Sequence, residues 1–274
     1  MELIEGDDGL PANTVGIWAK EKHRYLRRYL DISRATRKKY IGAGNAGAAY
    51  FDLFCASSRS KIRETGEWIE GSAIAAWTIS HAGGVPFSTI YVSDINKESL
   101  DACVARLERL GAPVVPIHAC AIDAVRRMIA SVNHHGLHFA FIDPYNLEAL
   151  DFEIIDALAT LKRIDMLIHL SIMDLQRNLL THLGAAKSAF DTFAPGWRNK
   201  VDTVGGQSRV RQRVIEYWRD QVAGLGVWPS TDQRLITGEK NQPLYYLLLA
   251  ARHELAHKFW STAVNPEGQE RLPF

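Results

Sequence analysis

The chain has 274 residues, of which 47% are hydrophobic and 23% are charged, and its formal net charge is +1. These values are typical of a globular protein, suit one large α/β domain with an insertion or two small domains, and exclude a global attraction to nucleic acid. No apolar run could span a membrane, and the first residues are acidic, unlike those of a signal peptide. The three cysteines are too few and too scattered for a disulfide framework or a zinc site: Cys55, Cys103 and Cys120. We therefore expect a cytoplasmic protein without a metal.

The N-terminal segment, residues 1–47, is predicted to be helical after a polar lead of residues 1–13. Thr14 can cap a helix over residues 15–30, whose apolar positions recur at helical spacing. Nine basic residues against two acidic ones between positions 20 and 39 form a basic face. That face either binds phosphates or is simply a solvated side of the helix.

The predicted core, residues 48–178, alternates strands with helices. A first strand ends at Asp52 and is followed by a turn of small residues at 55–58 and a polar loop over 59–70. Further strands are expected at 88–92, 114–117, 137–142 and 166–170, and helices at 71–83, 96–110, 123–132 and 152–161. This alternation predicts a parallel sheet built of right-handed crossovers.

The alternation stops after residue 178. Residues 179–229 carry three tryptophans and seven lysine or arginine residues and are predicted to form a helical insertion, with one helix near 208–222. The segment 230–274 should complete the core with a hairpin over 234–249 and a helix over 252–264. A mostly parallel central sheet that ends in an antiparallel hairpin is the α/β layout of Rossmann-like class I S-adenosylmethionine-dependent methyltransferases.

Acidic residues stand at the ends of three predicted strands, Asp52, Asp94 and Asp143. Because such strand ends face one crevice, we expect the three carboxylates to lie close together. Asp94 is placed to accept both hydroxyls of a ribose, or else it caps the helix that follows. The small residues Ala56 and Ser57 would let a ligand approach the backbone after Asp52, although an ordinary buried strand and loop would look the same.

Asp143-Pro144-Tyr145 is the most specific local pattern. The proline fixes the backbone and holds the carboxylate outward, and an exposed tyrosine can stack on a base or another planar group. A hydrogen-bond acceptor beside a stacking ring suits an exocyclic amine about to be methylated. The alternative is a turn with a capping aspartate and a packed tyrosine.

Five short motifs follow one another along the chain: Trp18-Ala-Lys-Glu-Lys-His23, Tyr50-Phe-Asp-Leu-Phe54, Gly71-Ser72-Ala73, Phe141-Ile-Asp-Pro-Tyr145 and Asp165-Met-Leu-Ile168. In this order they resemble the three-Cys-motif partner proteins (TcmP), a Rossmann-like, methyltransferase-like family. The motif order is also similar to that of the ribosomal RNA adenine-N6 methyltransferases. The resemblance extends from Trp18 to Trp260.

The resemblance implies S-adenosyl-L-methionine as the cofactor. Its pocket would be lined by Lys22, His23, Asp52, Phe54, Ala56, Ser57, Ser72, Asp94, Ile95, Cys120 and Ala121. Asp143, Pro144 and Tyr145 would face the substrate, an amine of a nucleic acid, a nucleotide or a related small molecule. The turn at 55–58 lacks the glycines of the family, which favours an alternative: a non-catalytic or substrate-positioning partner of a three-Cys-motif, radical-SAM-like protein.

Overall fold

The computed structural model describes residues 3–265. The strands are β1 (Ile4–Glu5), β2 (Pro11–Val15), β3 (Ala48–Asp52), β4 (Arg59–Ile62), β5 (Trp68–Glu70), β6 (Thr89–Asp94), β7 (Val114–His118), β8 (Leu137–Ile142), β9 (Ile164–Ser171), β10 (Trp228–Thr237) and β11 (Pro243–Ala251). The helices are α1 (Trp18–Ile32), α2 (Arg34–Lys38), α3 (Ser72–Ala82), α4 (Lys97–Arg109), α5 (Ala121–Ser131), α6 (Phe152–Ala159), α7 (Ile172–Gly184), α8 (Ala189–Phe193), α9 (Gln207–Gly224) and α10 (Glu254–Val264). A short 3-10 helix spans Trp197–Asn199.

The central sheet has seven strands in the order β10-β11-β9-β8-β3-β6-β7. The neighbours from β9 to β7 run parallel, whereas β11 is antiparallel to both β9 and β10. All five residues of β3 are buried, as expected for a central parallel strand covered on both faces. The predicted fold class, a Rossmann-like α/β fold with a mostly parallel central sheet that ends in an antiparallel hairpin, is confirmed.

Two hydrophobic cores cover the two faces of this sheet, because successive side chains of a strand point to opposite faces. Tyr50 belongs to the core formed with α1, α3, α4 and α10, where Trp260 contacts Tyr25 edge-on. Phe51 belongs to the core formed with α5 to α9, where Trp218 stacks on Phe193. The helices of the predicted insertion therefore bury one face of the sheet.

A second, four-stranded sheet, in the order β1-β2-β4-β5, lies where we predicted a polar lead and a polar loop. The buried Arg106 side chain of α4 joins it to the core, donating to Asp8 at 2.7 Å and to the backbone oxygens of Pro11 and Ser57 at 2.8 and 2.6 Å. The predicted cap at Thr14 is wrong because residue 14 pairs with β4, and α1 begins only at Trp18.

The C-terminal hairpin is longer than predicted. Trp228 and Pro229, which we assigned to the helical insertion, pair with Ala251 and Ala250 and so belong to β10. α10 begins at Glu254 rather than at residue 252, and the His253 side chain accepts a hydrogen bond from its first turn. Within residues 3–265, every helix is too short or too polar to cross a membrane.

Candidate active site

Three carboxylates occur at one edge of the central sheet, as predicted. β3 pairs with β6 and β8 so that Asp52 lies opposite Val92 and Phe141. Asp94 and Asp143 each follow two residues after those partners, at the carboxyl ends of the neighbouring strands. The parallel register therefore places all three acids along the edge where open α/β sheets bind ligands.

The Asp143 carboxylate is held by two side chains. The Lys22 ammonium of α1 forms an ion pair with Oδ2, and His169 Nδ1 lies 2.7 Å from Oδ1. Only 16% of the Asp143 side chain is exposed. Burial opposes its ionisation, but the Lys22 charge and the His169 hydrogen bond outweigh burial and hold the pKa of Asp143 well below its ordinary value. The Asp143 side chain is therefore ionised near neutral pH.

His169, which our sequence analysis missed, completes this group. Ile142 pairs with Ile168, so the residues that follow them, Asp143 and His169, lie side by side. Burial lowers the pKa of His169, although the Asp143 carboxylate opposes that shift, so the imidazole is neutral at pH 7. Because the carboxylate only accepts, Nδ1 carries the proton and Nε2 keeps a lone pair. A histidine inside the predicted strand 166–170 was the signal available in the sequence.

Asp52 is fully buried at the end of β3. Its Oδ2 accepts a hydrogen bond from the Tyr50 hydroxyl at 3.1 Å. Burial, reinforced by the nearby Asp143 charge, raises the pKa of Asp52 to about 7. Asp52 is thus a buried carboxyl group close to the strand-end edge, where hydrogen bonds from Ser72 and the Phe54 backbone oppose the rise of its pKa.

The turn after β3 takes up left-handed backbone conformations without glycine. The φ angles of Ala56 and Ser58 are +47° and +54°, in the region that glycine adopts without steric cost. Gly71 permits the turn to pack against the start of α3, because a Cβ there would stand 2.6 Å from Ser58 Cα. The buried Ser72 follows at this contact. The turn thus keeps the backbone shape of a glycine turn despite its sequence.

Asp94 fastens this turn to the end of β6. Its carboxylate accepts from the Ala56 amide at 3.0 Å and from the Asn96 amide at 2.8 Å. Asn96, not Asp94, caps α4 by accepting from Ser99. Asp94 is half-buried, and the neighbouring Ile95 is 73% exposed, so an acid and an apolar side chain stand together at this edge.

The remaining amides of the turn are also occupied. The Cys55 amide donates to the Ser93 carbonyl at 3.0 Å, and the Ser58 amide donates to Cys55. Ser57 is buried, and both its amide and its hydroxyl bind the Asn13 side chain of β2. The small N-terminal sheet therefore supports the turn through the Asn13 side chain.

The other predicted pocket residues differ in exposure. Phe54 is half-buried against the core, and Cys120 is exposed just before the half-buried Ala121 at the start of α5. His23 is half-buried, and burial together with the Lys22 charge lowers its pKa to about 3, so it is neutral.

The substrate motif divides between a buried and an exposed residue. Pro144 is buried, whereas Tyr145 is 78% exposed, so the alternative of a packed tyrosine does not hold. An exposed ring next to the clamped Asp143 carboxylate can stack on a planar ligand. Residues 3–265 contain no group of three or more His, Cys, Asp or Glu residues that could hold a metal ion.

The basic face of residues 20–39 is largely neutralised. Five of its nine cations form ion pairs with carboxylates: Lys20, Lys22, Arg24, Arg27 and Arg34. A sixth, Arg37, is buried. The segment is therefore not the continuous basic surface that its composition indicated.

No protein-family model matches the sequence, and no curated protein matches it. Similar solved structures include a Legionella pneumophila protein of family DUF519, with 11% identity, a TM-score of 0.49 and coverage of 92% of this chain and 94% of that one. The N-methyltransferase NodS from Bradyrhizobium japonicum, solved with S-adenosyl-L-homocysteine, has 10% identity, a TM-score of 0.41 and coverage of 87% and 89%. The bifunctional kinase-methyltransferase WbdD has 12% identity, a TM-score of 0.43 and coverage of 86% of this chain and 40% of WbdD. The chain therefore spans about two fifths of the length of WbdD. The resemblance to TcmP proteins stays a prediction.

Proposed function

We propose that the protein binds S-adenosylmethionine at this edge and transfers its methyl group to an amine of a nucleic acid, a nucleotide or a related small molecule. The observation that carries the proposal is the Asp143 carboxylate, clamped by Lys22 and His169 beside the exposed Tyr145 ring. This arrangement presents an acceptor, a neutral imidazole and a stacking surface together, which suits recognition of a planar amine.

The residues present fit the cofactor. Each Asp94 oxygen accepts one backbone hydrogen bond and keeps a further lone pair, so it can accept from a ribose hydroxyl. Ile95 offers an exposed apolar side chain to an adenine ring. The buried carboxyl group of Asp52 lies close to this edge, and a cationic amino group nearby would favour its ionised form.

The chain's own residues suggest how methyl transfer would proceed. When bound, S-adenosylmethionine supplies an electrophilic methyl group on a sulfonium. Asp143 stays ionised and accepts a hydrogen bond from the substrate amine, which orients the nitrogen lone pair. His169, fixed as the Nδ1–H tautomer by Asp143, can take up at Nε2 the proton that the methylated amine releases. Tyr145 holds the planar part of the substrate by stacking.

Calorimetric titration with S-adenosylmethionine and S-adenosylhomocysteine tests cofactor binding. Asp94→Ala should weaken binding at least tenfold, about 1.4 kcal/mol. The matched control is Asp101→Ala, which removes an exposed acid of α4 whose ion-pair partner within residues 3–265 is Lys97. Melting curves check that the Asp94 variant folds, because the residue also holds the turn. Unchanged affinity in a folded Asp94→Ala protein would remove Asp94 from the site.

A second role is favoured by the occupied turn amides and the strained Ala56 and Ser58. With its backbone donors used internally, the turn offers fewer groups to a methionine carboxylate, which suits a partner that positions substrate for a three-Cys-motif, radical-SAM-like protein. Absence of cofactor binding by the wild-type chain, together with co-purification of the two proteins, would replace the methyltransferase proposal by this one.

A further inference from the structure

A cavity lies at the edge of the central sheet opposite to the candidate active site. It has a volume of about 370 Å³ and lies where β8 and β9 begin, between α1, α2 and α10. Leu137 and Ile164, the first residues of these strands, line it, whereas Asp143 follows the last residue of β8. The sheet therefore separates this cavity from the candidate active site.

The cavity concentrates cations that lack acidic partners. Its lining includes Arg37, Lys39, Lys162, Arg163 and Arg252. None of these five forms an ion pair with a carboxylate within residues 3–265. The acid among the described lining residues is Asp165, which accepts from the Tyr29 hydroxyl at 2.7 Å and whose pKa burial raises to about 6. The lining is thus strongly positive.

Two of these guanidinium groups, the buried Arg37 and the half-buried Arg252, have no carboxylate of residues 3–265 within ion-pair distance. Arg37 is 2% exposed, and its Nε and Nη1 donate only to the backbone carbonyls of Val85 and Leu30, at 2.8 and 3.1 Å. Arg252 donates to two carbonyls, and its buried Nε has no partner among the described residues. A buried charge is costly unless an opposite charge compensates it. An anion bound in this cavity would supply the negative charge that these two arginines lack.

Aromatic rings form much of the remaining wall: Tyr29, Tyr40, Phe87, Phe139 and Phe259. The Arg163 guanidinium stands over the Tyr40 ring, 5.6 Å from its centroid, so charge and ring are adjacent at one side of the cavity. Small-molecule sites are commonly mostly apolar, with a few charged groups that fix orientation, and have volumes of about 300–1,000 Å³. Rings beside unpaired cations match a ligand that joins a planar ring to an anion.

We propose that this cavity binds a small molecule that carries a phosphate beside a planar ring, with nucleoside monophosphates as the matching chemical class. The exposed Arg163 and Lys39 meet the phosphate, and Arg37 and Arg252 add positive charge without a paired carboxylate among residues 3–265. The half-buried rings of Tyr40 and Phe259 receive the base. The site goes beyond the proposed methyl transfer, because no residue of the candidate active site lines it.

Calorimetry on the full chain tests the proposal, with AMP, GMP, adenosine and inorganic phosphate as probes, both without and with saturating S-adenosylhomocysteine. AMP or GMP should bind at micromolar concentration, and adenosine and phosphate at least tenfold more weakly. The double variant Lys39→Ala/Arg163→Ala should bind AMP and GMP at least tenfold more weakly, because it removes the two exposed cations of the cavity that meet the phosphate. The control, Arg127→Ala, removes an exposed cation of α5 outside the cavity and should bind like wild type.

Several results would overturn the proposal. They are no binding of either nucleotide, equal binding of phosphate and nucleotide, an unchanged double variant, or displacement of the nucleotide by S-adenosylhomocysteine. Asp94→Ala keeps the two proposals apart, since it should impair cofactor binding and leave AMP or GMP binding unchanged.

Discussion

Replacing Lys22 by methionine should destabilise the protein, because it leaves the Asp143 carboxylate without its cation. The two side chains are only 14% and 16% exposed. Breaking such a pair by removing one partner costs about 3–5 kcal/mol, since the remaining charge stays buried. We expect about 3 kcal/mol, the lower end of this range, because His169 still hydrogen-bonds to Asp143. Asp143→Asn removes the other charge, and the double variant leaves neither.

A double-mutant cycle measures this interaction. Urea unfolding of wild type, Lys22→Met, Asp143→Asn and the double variant at pH 7 should give a coupling energy of about 1–3 kcal/mol. Lys20→Met is the matched control from the same helix: its partner is Glu67, both side chains are far more exposed at 41% and 51%, and the expected loss is about 0–1 kcal/mol. A Lys22→Met protein whose unfolding free energy is lowered by no more than that of Lys20→Met would refute the reasoning. So would losses of the two single variants, Lys22→Met and Asp143→Asn, that sum to the loss of the double variant.

Acid should also diminish the effect of Lys22→Met. The pKa of Asp143 is lowered in the folded state, so its contribution to stability is present above the ordinary carboxyl pKa of 3.8 and is lost as the pH falls through the folded value. The difference between wild type and Lys22→Met should therefore shrink in increasingly acidic buffers, and a difference independent of pH would contradict the assigned ion pair.

Two further predictions concern Asp52 and the turn that follows it. The pKa of Asp52 is raised from 3.8 to about 7, so its contribution to stability is present below pH 3.8 and is lost as the pH rises through about 7. The unfolding free energy of Asp52→Asn should therefore rise by up to about 4 kcal/mol relative to that of wild type between pH 4 and pH 8. An equal difference at both pH values would argue against a raised pKa. At Ala56, whose φ is +47°, valine should destabilise the protein by about 1 kcal/mol or more, because a branched Cβ is disfavoured at positive φ beyond the cost that alanine already bears. Glycine should change the unfolding free energy by less than about 1 kcal/mol, and equal losses in thermal melts would show that the left-handed backbone is not the cause.

The alternation of strands and helices was enough to predict the fold class, because hydrophobic periodicity and turn residues are local signals. It also placed three acids at strand ends, and the register of β3, β6 and β8 brings them to one edge. The small N-terminal sheet escaped prediction because its strands have two to five residues. Its link to the core depends on Arg106 and Asp8, 98 positions apart.

The sequence by itself determined the order of the elements and the residue types at the strand ends, since both follow from local propensity and from the two-residue period of a strand. Only the tertiary structure decided the partners of those residues. Lys22 meets Asp143 across 121 positions, and His169 meets it because β9 happens to pair with β8 in that register. The opposite cavity likewise collects cations from separate parts of the chain: α2 and the residue after it, the residues before β9, and the residues before α10. Electrostatic interactions depend on distance in space and on burial, and neither is set by spacing along the chain.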